Sequence, residues 1–357
     1  MTMPTSRPRS RLAVVAVLTV VLAVVLGACG SSGGDDRETV TLVTHDSFSV
    51  SKNVLRDFER RTGTKVRVLE SGDAGSVLNQ AILTKDAPLG DVLYGVDNTF
   101  LTRALRAGIF VPYTARGLDR VPTELRLDPS NRVTPIDYGD VCLNADKAWF
   151  AERQLVVPTS LADLTRPEYR DTLVVENPAT SSPGLAFLLA TIAEFGEDGW
   201  QDFWRDLRAN GVKVVSGWEQ AYNEEFSGSS GDGDRPLVVS YASSPPAEVI
   251  YADPEPETPP TQVLPESCFR QVEFAGVLRN AEHPTAARRL VDFLLSERFQ
   301  ADMPMQMFVF PARAGTPLPA VFTELADVPA QPYTLPPEEI GANRDDWIDE
   351  WTEIVLR

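Results

Sequence analysis

The sequence predicts an α/β fold in two lobes, each a mostly parallel sheet flanked by helices, and three observations carry that prediction. From residue 40 the chain alternates short β-branched runs with helix-spaced stretches, in the order strand, helix, strand, helix, strand, helix. A second alternation of the same kind follows Val133. Two extended crossings, near Asp137 and near Phe274, join the two regions as the halves of a clamshell. The first lobe is predicted to be residues 39–136 with 275–357, and the second residues 137–274.

In the first lobe residues 40–44, 65–69 and 91–96 read as strands. Residues 50–61, 74–84 and 101–107 carry the helical spacing between and after them. In the second, residues 133–143 form a long extended segment interrupted at Tyr138-Gly139-Asp140, and residues 172–175, 212–215 and 236–241 are further strands. Ser182-Pro183-Gly184 opens a long helix whose apolar positions run from Leu185 to Phe195. Trp200, Phe203, Trp204 and Leu207 continue at helical spacing and are read as core. A strand at 271–278 leads into a helix at 286–299. Residues 227–234 and 254–260 have loop composition.

The start of the chain is an address. Arg7, Arg9 and Arg11 precede fifteen residues, Leu12 to Leu26, that are nearly all apolar, and Gly27-Ala28-Cys29 follows. A basic end, a short apolar run and small residues make a secretory signal, residues 1–28. Ending at cysteine, it resembles the lipobox of bacterial lipoproteins, which implies acylation of Cys29. Buried acyl chains at about 0.8 kcal/mol per CH₂ would hold the chain at a membrane surface outside the cytoplasm. The competing reading is a signal anchor with an incidental cysteine. Residues 29–38 would be a flexible lipidated tether.

Removing the signal leaves 329 residues, enough for two cores, and a formal charge that moves from −18 to about −21. That acidity argues against nucleic acid and anionic lipid as partners. With Cys29 committed to lipid, Cys142 and Cys268 remain as a candidate disulfide in an oxidising compartment.

Catalysis is weakly supported. His45-Asp46-Ser47 has the residue types of a hydrolase triad, but adjacent strand side chains point to opposite faces. A ferric site would want clustered tyrosines, and Tyr138, Tyr222 and Tyr241 include no adjacent pair. Aromatic and acidic residues do recur where a cleft would open: Asp46, Asp97, Tyr138, Trp218, Tyr222, Tyr241 and Phe308. Jointly they suit a flat cation, while each aromatic alone also fits a core. Ser181-Ser182-Pro183-Gly184 makes a helix N-terminus able to hold a phosphate or merely to cap itself.

Six segments then point to one family. They are Val43-Thr-His-Asp-Ser-Phe48, Gly95-Val-Asp-Asn98, Pro135-Ile-Asp-Tyr-Gly139, Thr180-Ser-Ser-Pro-Gly-Leu185, Gly217-Trp-Glu-Gln-Ala-Tyr222 and Val239-Ser-Tyr-Ala-Ser-Ser-Pro245, with Asp346-Trp-Ile-Asp-Glu-Trp351 near the end. In this order they resemble bacterial thiamine-binding proteins, the substrate-binding components of thiamine ABC transporters. The resemblance implies the type II (group II) periplasmic-binding-protein clamshell. It also implies a monomer that binds thiamine and its phosphate esters between the lobes, without cofactor or metal, and delivers them to a permease with its ATPase. Trp218, Tyr241 and Phe308 would form aromatic walls, Asp46 and Asp97 would serve the cationic or amino-bearing rings, and Ser182, Gly184 and Trp218 would face the hydroxyethyl or phosphate end. His45, Ser47, Asn98, Tyr138, Tyr222 and Ser243 complete the expected ligand-binding set. His45 stands where the family commonly has tyrosine, and Phe308 where it commonly has tryptophan. The alternatives are a receptor for ferric ion or another small cation such as a polyamine, and a secreted hydrolase.

Overall fold

The alternation that begins after residue 38 folds as three parallel strands with their helices: β1 (Thr39–Thr44), α1 (Lys52–Thr62), β2 (Lys65–Glu70), α2 (Ala74–Leu83), β3 (Val92–Asp97) and α3 (Leu101–Ala107). Each lies within two residues of its predicted position. All of β3 and five of the six residues of β1 are buried, as expected for parallel strands covered on both faces. In α1, Val54 and Phe58 bury one stripe, and Gly63 ends the helix at φ 73°, a conformation that suits glycine.

The computed structural model describes residues 37–228, 233–326 and 328–357. The signal segment, Cys29, most of the tether and the middle of the 227–234 loop therefore lie outside the described residues. Among the described residues no helix is long and apolar enough to cross a membrane. Residues Glu38–Arg357 pack as one compact unit.

The second alternation comprises β4 (Thr134–Asp146), β5 (Leu173–Glu176), α4 (Ser182–Phe195), α5 (Trp200–Ala209), β6 (Lys213–Val215) and β7 (Leu237–Tyr241). Then come β8 (Thr261–Val277), α6 (Pro284–Leu294), β9 (Phe310–Pro311) and α7 (Pro337–Val355). The strands form one sheet in the order β2-β1-β3-β8-β4-β7-β5-β6, with β9 on β4. A parallel group, β2-β1-β3, thus stands on one side of the antiparallel pair β8-β4, with β7-β5-β6 beyond it, β7 antiparallel to β4 and parallel to β5. The two extended crossings are neighbours: Pro135 is opposite Phe274 and Asp137 opposite Glu273.

Helix α4 is buried from Ser182 to Ile192, apolar all round because it is enclosed. The α5 stripe Trp200, Phe203, Trp204 and Leu207 is buried, and Trp204 meets Trp351 of α7 edge to face at 5.5 Å. Three predicted boundaries move. β4 runs without the expected interruption through Tyr138-Gly139-Asp140, which pair with Val272, Gln271 and Arg270, and ends at Asp146. β8 begins ten residues before 271, because Thr261–Leu264 pair with Leu143–Asp146 beyond a bulge. The helix expected at 286–299 stops at Leu294, and Ser296 caps a separate turn, accepting from the Phe299 N–H.

The bulge lies where β4 changes partners between Val141 and Leu143. Ser267 Oγ accepts the Leu143 N–H at 2.8 Å and donates to the Leu264 carbonyl at 2.6 Å. Cys142 and Cys268, both fully buried, are joined there as a disulfide. The bond closes a loop of sequence separation 126, which restricts the unfolded chain. Replacing both cysteines with alanine is expected to lower unfolding free energy by about 2–5 kcal/mol, read by chemical denaturation, with an unchanged midpoint counting against the assignment.

Candidate functional site

A cavity of about 650 Å³ opens beside the C-terminal ends of β1 and β7, in the region where ligands collect in open α/β sheets. The turn after β1 brings His45 and Ser47, and the segment after β6 brings Trp218, Glu219 and Tyr222. Tyr241 ends β7, Glu273 comes from β8, and Glu248, Tyr251 and Phe308 complete the walls.

The aromatic geometry is ordered. Trp218 stacks on Tyr222 with centroids 5.0 Å apart and planes 15° apart, and meets Tyr241 edge-on at 6.4 Å. Trp218 Nε1 donates to Ser240 Oγ at 2.9 Å, which fixes the indole. Tyr251 and Phe308 make a second edge contact at 5.8 Å. Phe308 has φ 52°, an uncommon conformation for a bulky residue, and its carbonyl is held by the Ser243 hydroxyl.

Carboxylates alternate with these rings. Asp146, Glu219, Glu248 and Glu273 line the cavity, and none of the described lining residues is Lys or Arg. Burial pushes Glu219 and Glu248 above the usual carboxylate range; Glu248 accepts from the Tyr222 hydroxyl. Such a wall attracts a cation and repels an anion.

The structure brings together six of the predicted ligand residues, His45, Ser47, Trp218, Tyr222, Tyr241 and Phe308, and places the other seven elsewhere. Asp97 is fully buried and saturated: Oδ1 accepts from Thr99 N, Thr99 Oγ1 and Phe100 N, while Oδ2 takes Gln271 Nε2 at 2.7 Å and the Ser182 hydroxyl. Asn98 bonds the β8 backbone, donating to Arg270 O at 3.0 Å and accepting from Val272 N at 2.8 Å. Tyr138 stacks on Phe310 at 5.4 Å, and its cation is internal, the Arg270 guanidinium 5.4 Å away. Gly184 packs against β5, where a Cβ would come within 2.5 Å of the Glu176 carbonyl. Asp46 is exposed, and Ser243 acts through the Phe308 backbone.

The four lining acids Asp146, Glu219, Glu248 and Glu273 were missed, as were Asp73 and Asp137 behind them. Asp73 caps α2 and spans to the other side of the sheet's central pair, accepting from Ser182 N at 3.3 Å and Trp218 N at 3.0 Å. Its carboxylate thus holds the Ser182 N–H, a donor at the α4 N-terminus that a phosphate would use, and Ser181 Oγ takes Gly184 N. Burial raises its pKa, against the hydrogen bonds from Trp218, Ser181 and Ala74. Glu273, Asp137 and Tyr94 form a buried cluster, with the Tyr94 hydroxyl 2.5 Å from Asp137 Oδ2 and 3.1 Å from Glu273 Oε2. A carboxylate inside a strand of apolar residues, as in 271–277, was the available signal for Glu273. Among the described residues no group of three or more His, Cys, Asp or Glu is arranged to hold a metal ion.

A family description, bacterial extracellular solute-binding protein, matches residues 87–334. The chain belongs to that family. This solute-binding protein is an extracytoplasmic transport component and not an enzyme. It is 27% identical over 347 residues to a thiamine-binding periplasmic protein of Brucella suis, covering 96% of this chain and 98% of the relative. It is 28% identical over 326 residues to a thiamine-binding periplasmic protein of Escherichia coli, covering 90% and 94%. A solved structure titled periplasmic thiamin binding protein aligns with TM-score 0.79 and 27% identity over 91% of this chain and 98% of the other. The fold is the two-lobed α/β clamshell of type II periplasmic binding proteins.

Glu176, at the end of β5, is 1% exposed, and neither carboxylate oxygen has a hydrogen-bond partner among the described residues. Burial holds its pKa well above the usual range, with the nearby Asp73 charge adding to the rise. A raised native pKa gives stability that is complete below the unfolded value, about 4.3, and lost as pH rises through the native value. Glu176→Gln should therefore match the parent near pH 4 and exceed it by more than about 1 kcal/mol at pH 8. Parallel melting curves across that range check this, and a difference independent of pH would contradict it.

Proposed function

We propose that this solute-binding protein captures thiamine between its lobes and passes it to an ABC permease, held beside it by a lipid on Cys29. The observation that carries the reading is the cavity wall. Trp218, Tyr222 and Tyr241 stand beside Glu219, Glu248 and Glu273, with no Lys or Arg among the described lining residues. Thiamine is a flat aromatic cation, the class that such a wall takes by cation–π attraction and opposite charge. The two relatives and the solved structure named for thiamine support the choice within that class.

The lobes in this reading are residues 39–136 with 275–357, and 137–274. Closure is a bend at β4 and β8, and the ligand favours the closed form by the contacts it gains there. A lipid anchor would raise the receptor's concentration near its permease. The chain acts as a monomer. Phosphate esters are secondary ligands, because Asp73 already holds the Ser182 and Trp218 N–H groups that a phosphate tail would need.

Calorimetry with thiamine, its monophosphate and its diphosphate is the direct test, and no heat, quench or melting shift with any of the three would sink the reading. Trp218→Ala should weaken thiamine binding about tenfold or more, since a buried cation–aromatic contact is worth about 2 kcal/mol. Unchanged affinity would remove that ring from the pocket. Asp73→Asn should improve the esters relative to thiamine; an unaltered ratio would exclude Asp73 from ester discrimination.

A further inference from the structure

His45 is built into the cavity wall more firmly than a surface histidine. It is 6% exposed, and its ring rests on bare backbone: Gly95 has φ +98°, and a Cβ there would come within 2.4 Å of His45 Cδ2. Nδ1 lies 2.9 Å from Ser47 Oγ. Nε2 faces Glu273 Oε1 at 3.4 Å, an ion-pair separation without a hydrogen bond.

The groups around it are almost all acids. Glu273 comes from β8, Asp73 from the α2 cap, Asp46 from the same turn and Glu219 from the segment after β6. Tyr94 of β3 lies 5.7 Å away between ring centroids, and Tyr241 of β7 lines the same cavity. Behind Glu273 stands Asp137. Burial, and then the neighbouring Glu273 charge, holds Asp137 well above the usual range, so Asp137 keeps its proton. Burial would raise Glu273 too, but the charge of His45 and hydrogen bonds from its neighbours outweigh it and hold Glu273 below the usual range. Two buried carboxyls sharing the Tyr94 hydroxyl favour a single negative charge, and His45 faces it at Glu273 Oε1.

A cationic ligand beside His45 brings a second positive charge to the Glu273 carboxylate that the ring faces. Two cations sharing one carboxylate in a low-dielectric cavity repel each other, and only the imidazolium can discharge. We infer that capture of the ligand cation expels the proton of His45, so that His45 and Glu273 make affinity proton-linked. The step balances simply: imidazolium plus cationic ligand gives neutral imidazole, bound cation and one proton delivered to solvent. Burial works against the charged ring, but Glu273, with Asp73 and Asp46, outweighs it, and the His45 pKa is raised. The ring is thus charged in mildly acidic solution before ligand arrives. Below that pKa affinity should climb with pH, by up to about tenfold per unit, and above it the climb should end.

The inference rests on thiamine as the ligand, and the test separates the two. Thiamine is titrated calorimetrically into the full-length chain at pH 6 in buffers of different ionisation heat, for the parent and for His45→Gln. The parent should release close to one proton per thiamine, and His45→Gln should release markedly less; the ligand's own titration is common to both. The chain has two histidines, so a ¹⁵N-histidine spectrum assigns His45 by its loss in the variant. Its ring should be charged without thiamine and neutral with it, while His283 stays unchanged. Binding with no proton release, or a His45 ring still charged in the complex, overturns the inference and leaves the thiamine reading standing. No binding overturns both.

Discussion

Strands β4 and β8 run antiparallel through the middle of the sheet, and the cavity depends on that pairing. β8 brings Glu273 to the cavity beside Asp137 of β4, opposite it in the register, and its Arg270 and Val272 backbone receives Asn98. β4 carries Tyr138 and continues past the Cys142–Cys268 bulge to Asp146 at the cavity. Side chains alternate along a strand, so a slip of one residue would turn Glu273 away and point Val272 or Phe274 at the ligand. The Ser267 bonds and the disulfide fix the register at the bulge. These are structural devices with a functional consequence, because they aim the Glu273 carboxylate at the cavity.

Charge is the second constraint, and it explains which acids face the cavity. Asp97, Asp140 and Asp137 are as buried as Glu273, yet each is matched internally. Asp97 is satisfied by Thr99, Gln271 and Ser182; Asp140 by a bidentate pair with Arg270; Asp137 by holding its proton. Buried charges cost several kcal/mol unless paired, so the matching is required for folding. Glu219 and Glu273 are met from within by neutral donors, Asn223 and Tyr94, and the one cationic group that the described residues set against Glu273 is the titratable ring of His45. An acidic wall with an exchangeable partner is suited to taking up a cation and giving it back.

Much of this was legible in the sequence, for reasons that differ by element. The first alternation was readable because β1 and β3 are enclosed on both faces, and enclosure writes itself as unbroken apolar runs between helix-spaced stretches. The start of β8 was not, since residues 261–264 pair only after a bulge that no periodicity announces. In the site, Trp218, Tyr222 and Tyr241 could be found because aromatics at loop and strand ends are visible locally. Asp97 and Asn98 share that visibility, but their partners, Ser182, Gln271 and the β8 backbone, are up to 174 residues away, so their internal role was invisible. Asp73 was hidden in the same way. It reads as a helix cap, which it is, and nothing in the sequence tells that its second oxygen reaches Trp218.

The walls are also preorganised, which lowers the ordering cost of any binding event there. Phe308 sits at positive φ with its carbonyl tied to Ser243, and His45 lies on Gly95 where no other residue leaves room. Each costs conformational free energy once, during folding, instead of at every binding event. Trp218 is held on three sides, by Tyr222, by Ser240 and through its N–H by Asp73. Asp73 caps α2 on one side of the β4–β8 pair, so the same carboxylate that fixes the indole ties the two sides together. Opening the cavity must break those bonds and free the Trp218 backbone. If the cavity opens as proposed above, the aromatic wall and the closed form would be lost together, because Asp73 holds both.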